Sequence, residues 1–94
     1  MSKSILQTEK CCYLCGSHNW IEEHHIFGGP NRKNSEKHGL KVYLCHWCHN
    51  EPPNGVHHNK DVRLQLQRIA QRKMMETCGL TEDEFRHIFG KSYL

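Results

Sequence analysis

The chain has 94 residues, 36% hydrophobic and 24% charged, with a formal net charge of +3. These values exclude a membrane-spanning or wholly disordered protein, since no apolar run approaches bilayer length and the charge is modest. One domain with a small core is expected over residues 1–94.

The opening "MSKSILQTEK" (1–10) reads as a polar lead-in, too polar for a secretory leader, so a cytoplasmic protein is expected. "CCYLCGSHNW" follows, with Gly16 placed for a tight turn. Trp20 to Phe27 reads as a strand. Neighbouring strand residues point to opposite faces, so Ile21, Glu23 and His25 share one face, and Glu22, His24 and Ile26 the other. "GGPNRKNSEKHG" (28–39) reads as a polar, basic loop bounded by glycines, and "LKVYLC" (40–45) as a second strand. "EPPNG" (51–55) cannot continue a helix, because its two prolines remove donors and restrict the preceding residue.

From Asp61 the pattern becomes helical. Val62, Leu66, Ile69, Ala70 and Met74 recur at helical spacing, with Asn59 or Asp61 as the cap and Gly79 as the stop. A second helix starts at Thr81, where "TEDE" makes a capping box with Glu84. Leu80 and Phe85 stand at its staple positions, and Phe85, Ile88 and Phe89 would dock it before Gly90.

Six cysteines in a reducing compartment point to metal or redox use. "CYLC" (Cys12, Cys15) and "CHWC" (Cys45, Cys48) are two C-x-x-C pairs, and four thiolates can close a tetrahedron around Zn2+. A structural metal is one of the few staples available to so small a domain. A redox C-x-x-C begins a helix after a buried strand, and two copies would be hard to explain. Cys11 and Cys78 are left as a spare thiol and a helix-end residue. Between the pairs lie 29 residues, Gly16 to Leu44, against about 15–20 in common zinc ribbons. The zinc thus closes a hairpin that carries other residues, among them adjacent histidines.

Of the nine histidines, His18, His38, His46 and His87 read as surface or hydrogen-bonded residues. His24 and His25 differ: they adjoin on a strand between two cysteine pairs, and closing the four-cysteine site brings His49, directly after Cys48, near the hairpin. "HHIFGG" followed by "YLCHWCHN", with C-x-x-C pairs on either side of the hairpin, resembles the HNH endonucleases of the ββα-metal class. The likeness is greatest to small bacterial and phage members and covers roughly residues 12–60. It implies an α+β fold: a ββα-metal core stapled by zinc, with residues 61–90 as supporting helices.

The resemblance also implies a DNA phosphodiesterase. It makes His25 the general base, His24 and His49 ligands of a catalytic Mn2+ or Mg2+, and His57 a third ligand, with His58 as the fallback. Mn2+ stands ahead on ligand grounds, because Mg2+ prefers oxygen donors. Arg32, Lys33, Lys37 and Lys41 are the candidate phosphate contacts, with Arg63 as a further one; the competing reading for each is a solvated surface charge. The Asn that braces the base in many members has no counterpart before the second strand, leaving His38, Asn31 or Asn34 as substitutes. A non-catalytic zinc-ribbon module that binds nucleic acid is the alternative, and whether the chain acts as monomer or dimer is left open.

Overall fold

The computed structural model describes residues 3–94, so the first two residues of the lead-in lie outside it. The fold is α+β: a two-stranded antiparallel sheet, helices packed on it, a four-cysteine cluster and C-terminal helices. Strand β1 (Ile21–His25) pairs with β2 (Lys41–Cys45) so that Ile21 faces Cys45 and His25 faces Lys41. β1 is shorter than the 20–27 run. Trp20 enters it at φ 54, a left-handed conformation outside the strand region.

The segment between the strands is not the loop its composition suggests. A 3-10 turn at Gly29–Asn31 leads into helix α1 (Arg32–His38). Pro30 presets the backbone at the entry, and Gly39 ends the helix at φ 70, a conformation that glycine adopts without strain. Ser35, fully buried, accepts from the Phe27 amide (3.0 Å) and donates to the Phe27 carbonyl (2.8 Å), fastening α1 to the end of β1. Two turns with one buried side chain are too short for an apolar period to register in the sequence.

Helix α2 (His46–His49) leaves β2 directly. After the 50–59 segment comes α3 (Lys60–Cys78), capped by Asn59, whose side chain accepts from the amides of Asp61 and Val62. Helix α4 (Glu82–Phe89) starts with the Thr81–Glu84 capping box and stops at Gly90. Leu66, Ala70 and Met74 of α3 are buried, but Ile69 is 39% exposed. The inward stripe centres between Ala70 and Met74, which turns Gln71 inward instead. Its amide donates to Ser92 Oγ (2.9 Å) and its oxygen accepts from the Tyr93 amide (2.7 Å), so the buried group is satisfied.

The core lies where α3 and α4 meet the hairpin. Phe27 contacts Phe85, Phe89 and Tyr93 at centroid distances of 5.7, 4.8 and 5.0 Å. The polar start of the chain is also structural. Ile5 donates to the Gly39 carbonyl (3.0 Å), Gln7 Oε1 accepts from the Tyr43 amide (2.8 Å), and Tyr13 donates to the Tyr43 carbonyl (2.8 Å). These bonds cover the outer edge of β2, which would otherwise expose unpaired backbone. Among the described residues, no helix is long and apolar enough to cross a membrane.

Candidate functional site

The sulfur atoms of Cys12, Cys15, Cys45 and Cys48 all lie within 4.8 Å of one another, with Cys15 and Cys45 at 3.6 Å. Zn–S bonds of about 2.3 Å in a tetrahedron place sulfurs about 3.8 Å apart, so the four thiols could hold a zinc ion. The first pair sits in a knuckle: Gly16, at φ 79, donates to the Cys12 carbonyl (2.8 Å), and the Cys15 amide points at Cys12 Sγ (3.4 Å). The second pair spans the junction of β2 and α2. Burial raises the Cys12 pKa, but backbone bonds from Cys45, Cys15 and Leu14 outweigh it and lower the value to about 6. Burial, with its neighbouring thiols, pushes Cys48 up. Cys11 and Cys78 stand outside this cluster.

A second cluster is built from β1, α2 and the 50–59 segment. The ring nitrogens of His24, His49 and His57 also fall within 4.8 Å of one another. His49 Nδ1 is 2.8 Å from Glu22 Oε1, which also accepts from Asn50 Nδ2 at 2.9 Å. A carboxylate only accepts, so the His49 proton is on Nδ1 and its Nε2 lone pair is directed into the cluster, the usual orienting arrangement around a metal-binding imidazole. There Nε2 meets His57 Nε2 at 2.9 Å.

His24 is 5% exposed, and among the described residues its Nε2 has no hydrogen-bond partner. Orphaned buried polar atoms are rare and costly, and an ion beside this nitrogen would account for it. Burial, reinforced by the nearby His49 and His57, lowers the His24 pKa to about 3. Its lone pair is therefore free for a metal at neutral pH.

His57 reaches the cluster although "EPPNG" interrupts the helix after His49. The chain loops back, with Val56 donating to the Cys48 carbonyl (2.8 Å) and His57 to the His49 carbonyl (3.2 Å). His58 is exposed and outside the cluster. Arg63 donates to the Val56 carbonyl (3.3 Å) and braces this return.

His25 faces the other way, as strand alternation requires. Its Nε2 is 2.9 Å from Glu36 Oε2 and 3.7 Å from Glu23 Oε1. An open depression beside it is lined by Glu23, His25, Arg32, Lys33 and Glu36, so two of the four candidate phosphate contacts adjoin His25. Lys37 is exposed on the same helix. Lys41 departs from expectation: it is 5% exposed and its Nζ lies 2.9 Å from Glu36 and 3.6 Å from Glu23. Its strand position opposite His25 turns the ammonium into an internal counter-ion rather than a phosphate contact.

No protein-family model matches this chain, and no curated protein or solved structure matches it either. The site is therefore read from its own geometry and from the residues that build it.

Neither Asn31, Asn34 nor His38 hydrogen-bonds to His25. Asn31 donates to the Phe89 carbonyl (2.9 Å) and Asn34 to the Ile88 carbonyl (3.3 Å), so both cap the end of α4. His38 lies near Phe89. The partners actually found, Glu22 for His49 and Glu36 for His25, carry no motif. Alternation does set Glu22 on the His24 face, whereas Glu36 is 11 residues from His25 across a stretch that reads as loop.

The return of His57 can be tested at Gly55. A Cβ there would sit 2.8 Å from the Glu51 amide nitrogen and carbonyl oxygen and 3.0 Å from the Asn50 carbonyl carbon. Backbone cannot give way cheaply, and overpacking of this kind costs about 1–3 kcal/mol. Gly55→Ala should loosen the loop and weaken metal binding by the histidines about tenfold or more while sparing the four-cysteine site. Titrating Mn2+ into the zinc-loaded variant checks this; unchanged affinity would show that the loop conformation does not matter.

Proposed function

We propose that this protein is a metal-dependent DNA endonuclease of the HNH, ββα-metal kind, with the four cysteines holding a structural zinc. The observation that carries the reading is the contrast between two donor clusters. The four thiols form a closed set, as structural sites do, whereas three imidazoles converge with no fourth Cys, His, Asp or Glu among the described residues. Catalytic sites keep such a position for water or substrate, and His57 lies at the exposed side of the cluster.

In this reading His24, His49 and His57 hold the catalytic ion, and Mn2+ suits imidazole donors better than Mg2+. When bound, the ion neutralises charge that builds on the phosphate and the departing oxygen. His25 accepts the proton of the attacking water. Arg32 and Lys33, beside His25, and Lys37 farther along α1 supply positive charge for the DNA backbone. Such contacts position the duplex without reading its bases, so little sequence specificity is expected. The resemblance implies 5′-phosphate and 3′-hydroxyl ends.

The test is cleavage of supercoiled plasmid across a panel of divalent ions. Parent protein should nick or linearise the plasmid with Mn2+ and more weakly with Mg2+. His49→Ala should lose cleavage and the second metal while keeping one zinc per chain. DNA binding with no cleavage under any metal would overturn the endonuclease reading in favour of a zinc-ribbon binding module.

A further inference from the structure

A neutral imidazole has one protonated nitrogen and one lone pair, and a base is useful only when the lone pair is on the right atom. His25 Nε2 lies 2.9 Å from Glu36 Oε2, and a carboxylate can only accept. The proton is therefore on Nε2 and the lone pair on Nδ1.

Two elements hold Glu36 in place. It is on α1, whose C-terminal Gly39 donates back to the Glu36 carbonyl (3.4 Å). Strand pairing sets Lys41 opposite His25, and Lys41 Nζ reaches the same Oε2 at 2.9 Å. Glu23 completes the group, 3.7 Å from His25 and 3.6 Å from Lys41.

Glu23, His25 and Glu36 are close enough together to suggest a cation site. The buried Lys41 ammonium already supplies the cation, however, and would repel a divalent ion. Its hydrogen bond, ahead of that from His25, holds the Glu36 carboxyl below the usual carboxylate range, so the acceptor remains ionised.

We propose that Glu36, locked by Lys41, is the positioning residue for His25: it takes the Nε2–H bond, fixes the ring and leaves Nδ1 as the proton acceptor. This rests on the reading of His25 as the base, and it assigns to a carboxylate on α1 the bracing work that Asn31, Asn34 and His38 do not perform. A base displaced by about 1 Å loses about 10²-fold in rate, which sets the size of the effect.

The test uses zinc-loaded protein with Mn2+ and plasmid DNA, together with 1H–15N spectra of the histidine rings. A ring N–H bonded to Glu36 exchanges slowly enough to be seen, whereas one facing water does not. Glu36→Gln keeps an acceptor oxygen and should keep the His25 Nε2–H resonance and most of kcat. Glu36→Leu would strand the Lys41 ammonium, so the decisive variant is the double substitution Glu36→Leu/Lys41→Met. It should lose the resonance and about 10²-fold in kcat, with KM and metal content unchanged. Lys41→Met alone should keep the resonance.

A persistent resonance in the double variant, or an unchanged kcat, overturns the proposal. If the parent protein cuts no DNA, the endonuclease reading fails by itself, and the ring N–H still decides whether Glu36 orients His25.

Discussion

Cys45→Ala is expected to yield protein that is insoluble or unfolded, with no bound zinc. Cys45 ends β2, is 3% exposed, and lies 3.6 Å from Cys15, which belongs to a separate knuckle near the start of the chain. The cluster is thus a crosslink between residues 12–15 and the hairpin–helix junction. Structural zinc in small domains contributes about 10 kcal/mol or more of folding free energy, as much as the whole net stability of a typical domain. The buried apolar set here, centred on Phe27, Leu40, Leu44, Met74 and Phe85, is small for a chain that must bear such a loss. Metal analysis and circular dichroism on the purified variant provide the check. A folded, zinc-free Cys45→Ala protein that still cleaves DNA would remove the crosslink from the account.

His25→Ala is expected to keep the fold, both metals and much of the DNA affinity while losing cleavage by about 10²–10⁴-fold, the usual worth of a positioned base. The prediction is separable from the ligand histidines because His25 is on the other face of β1, with Glu36 as its partner rather than His49 or His57. Burial keeps His24 neutral down to about 3, and burial likewise lowers His57. Both rings therefore resist protonation more than an unperturbed imidazole does. Metal content and cleavage rate measured on one His25→Ala preparation decide the matter. Lost metal would make His25 a ligand, and retained metal with near-normal cleavage would take it out of the mechanism.

The C-x-x-C spacing and the alternation of strand neighbours are local properties, and what they imply could be read directly. Cys12, Cys15, Cys45 and Cys48 do converge, and β1 does divide Glu22 and His24 from Glu23 and His25. Asn59, Thr81, Gly79 and Gly90 mark helix ends because caps act within one turn of the backbone. Residues 28–39 look like a loop for the same local reason: helix α1 buries only Ser35 and presents no apolar stripe.

What only the tertiary structure decided are the contacts between groups distant in the chain. That His57 rather than His58 joins the His24–His49 cluster depends on a loop that folds back onto α2, through backbone bonds from Val56 to Cys48 and from His57 to His49. Lys41 looks like one more exposed cation until strand pairing sets it beside His25 and α1 delivers Glu36 to both. Asn31 and Asn34 look available until α4 arrives to take their amides. In each case the residue type permits several roles, and its burial and nearest opposite charge or open carbonyl select one. Spacing along the chain carries the donor sets, because a metal knuckle is built within a few residues. The partners that orient those donors come from whichever element packs against them, which only the folded chain determines.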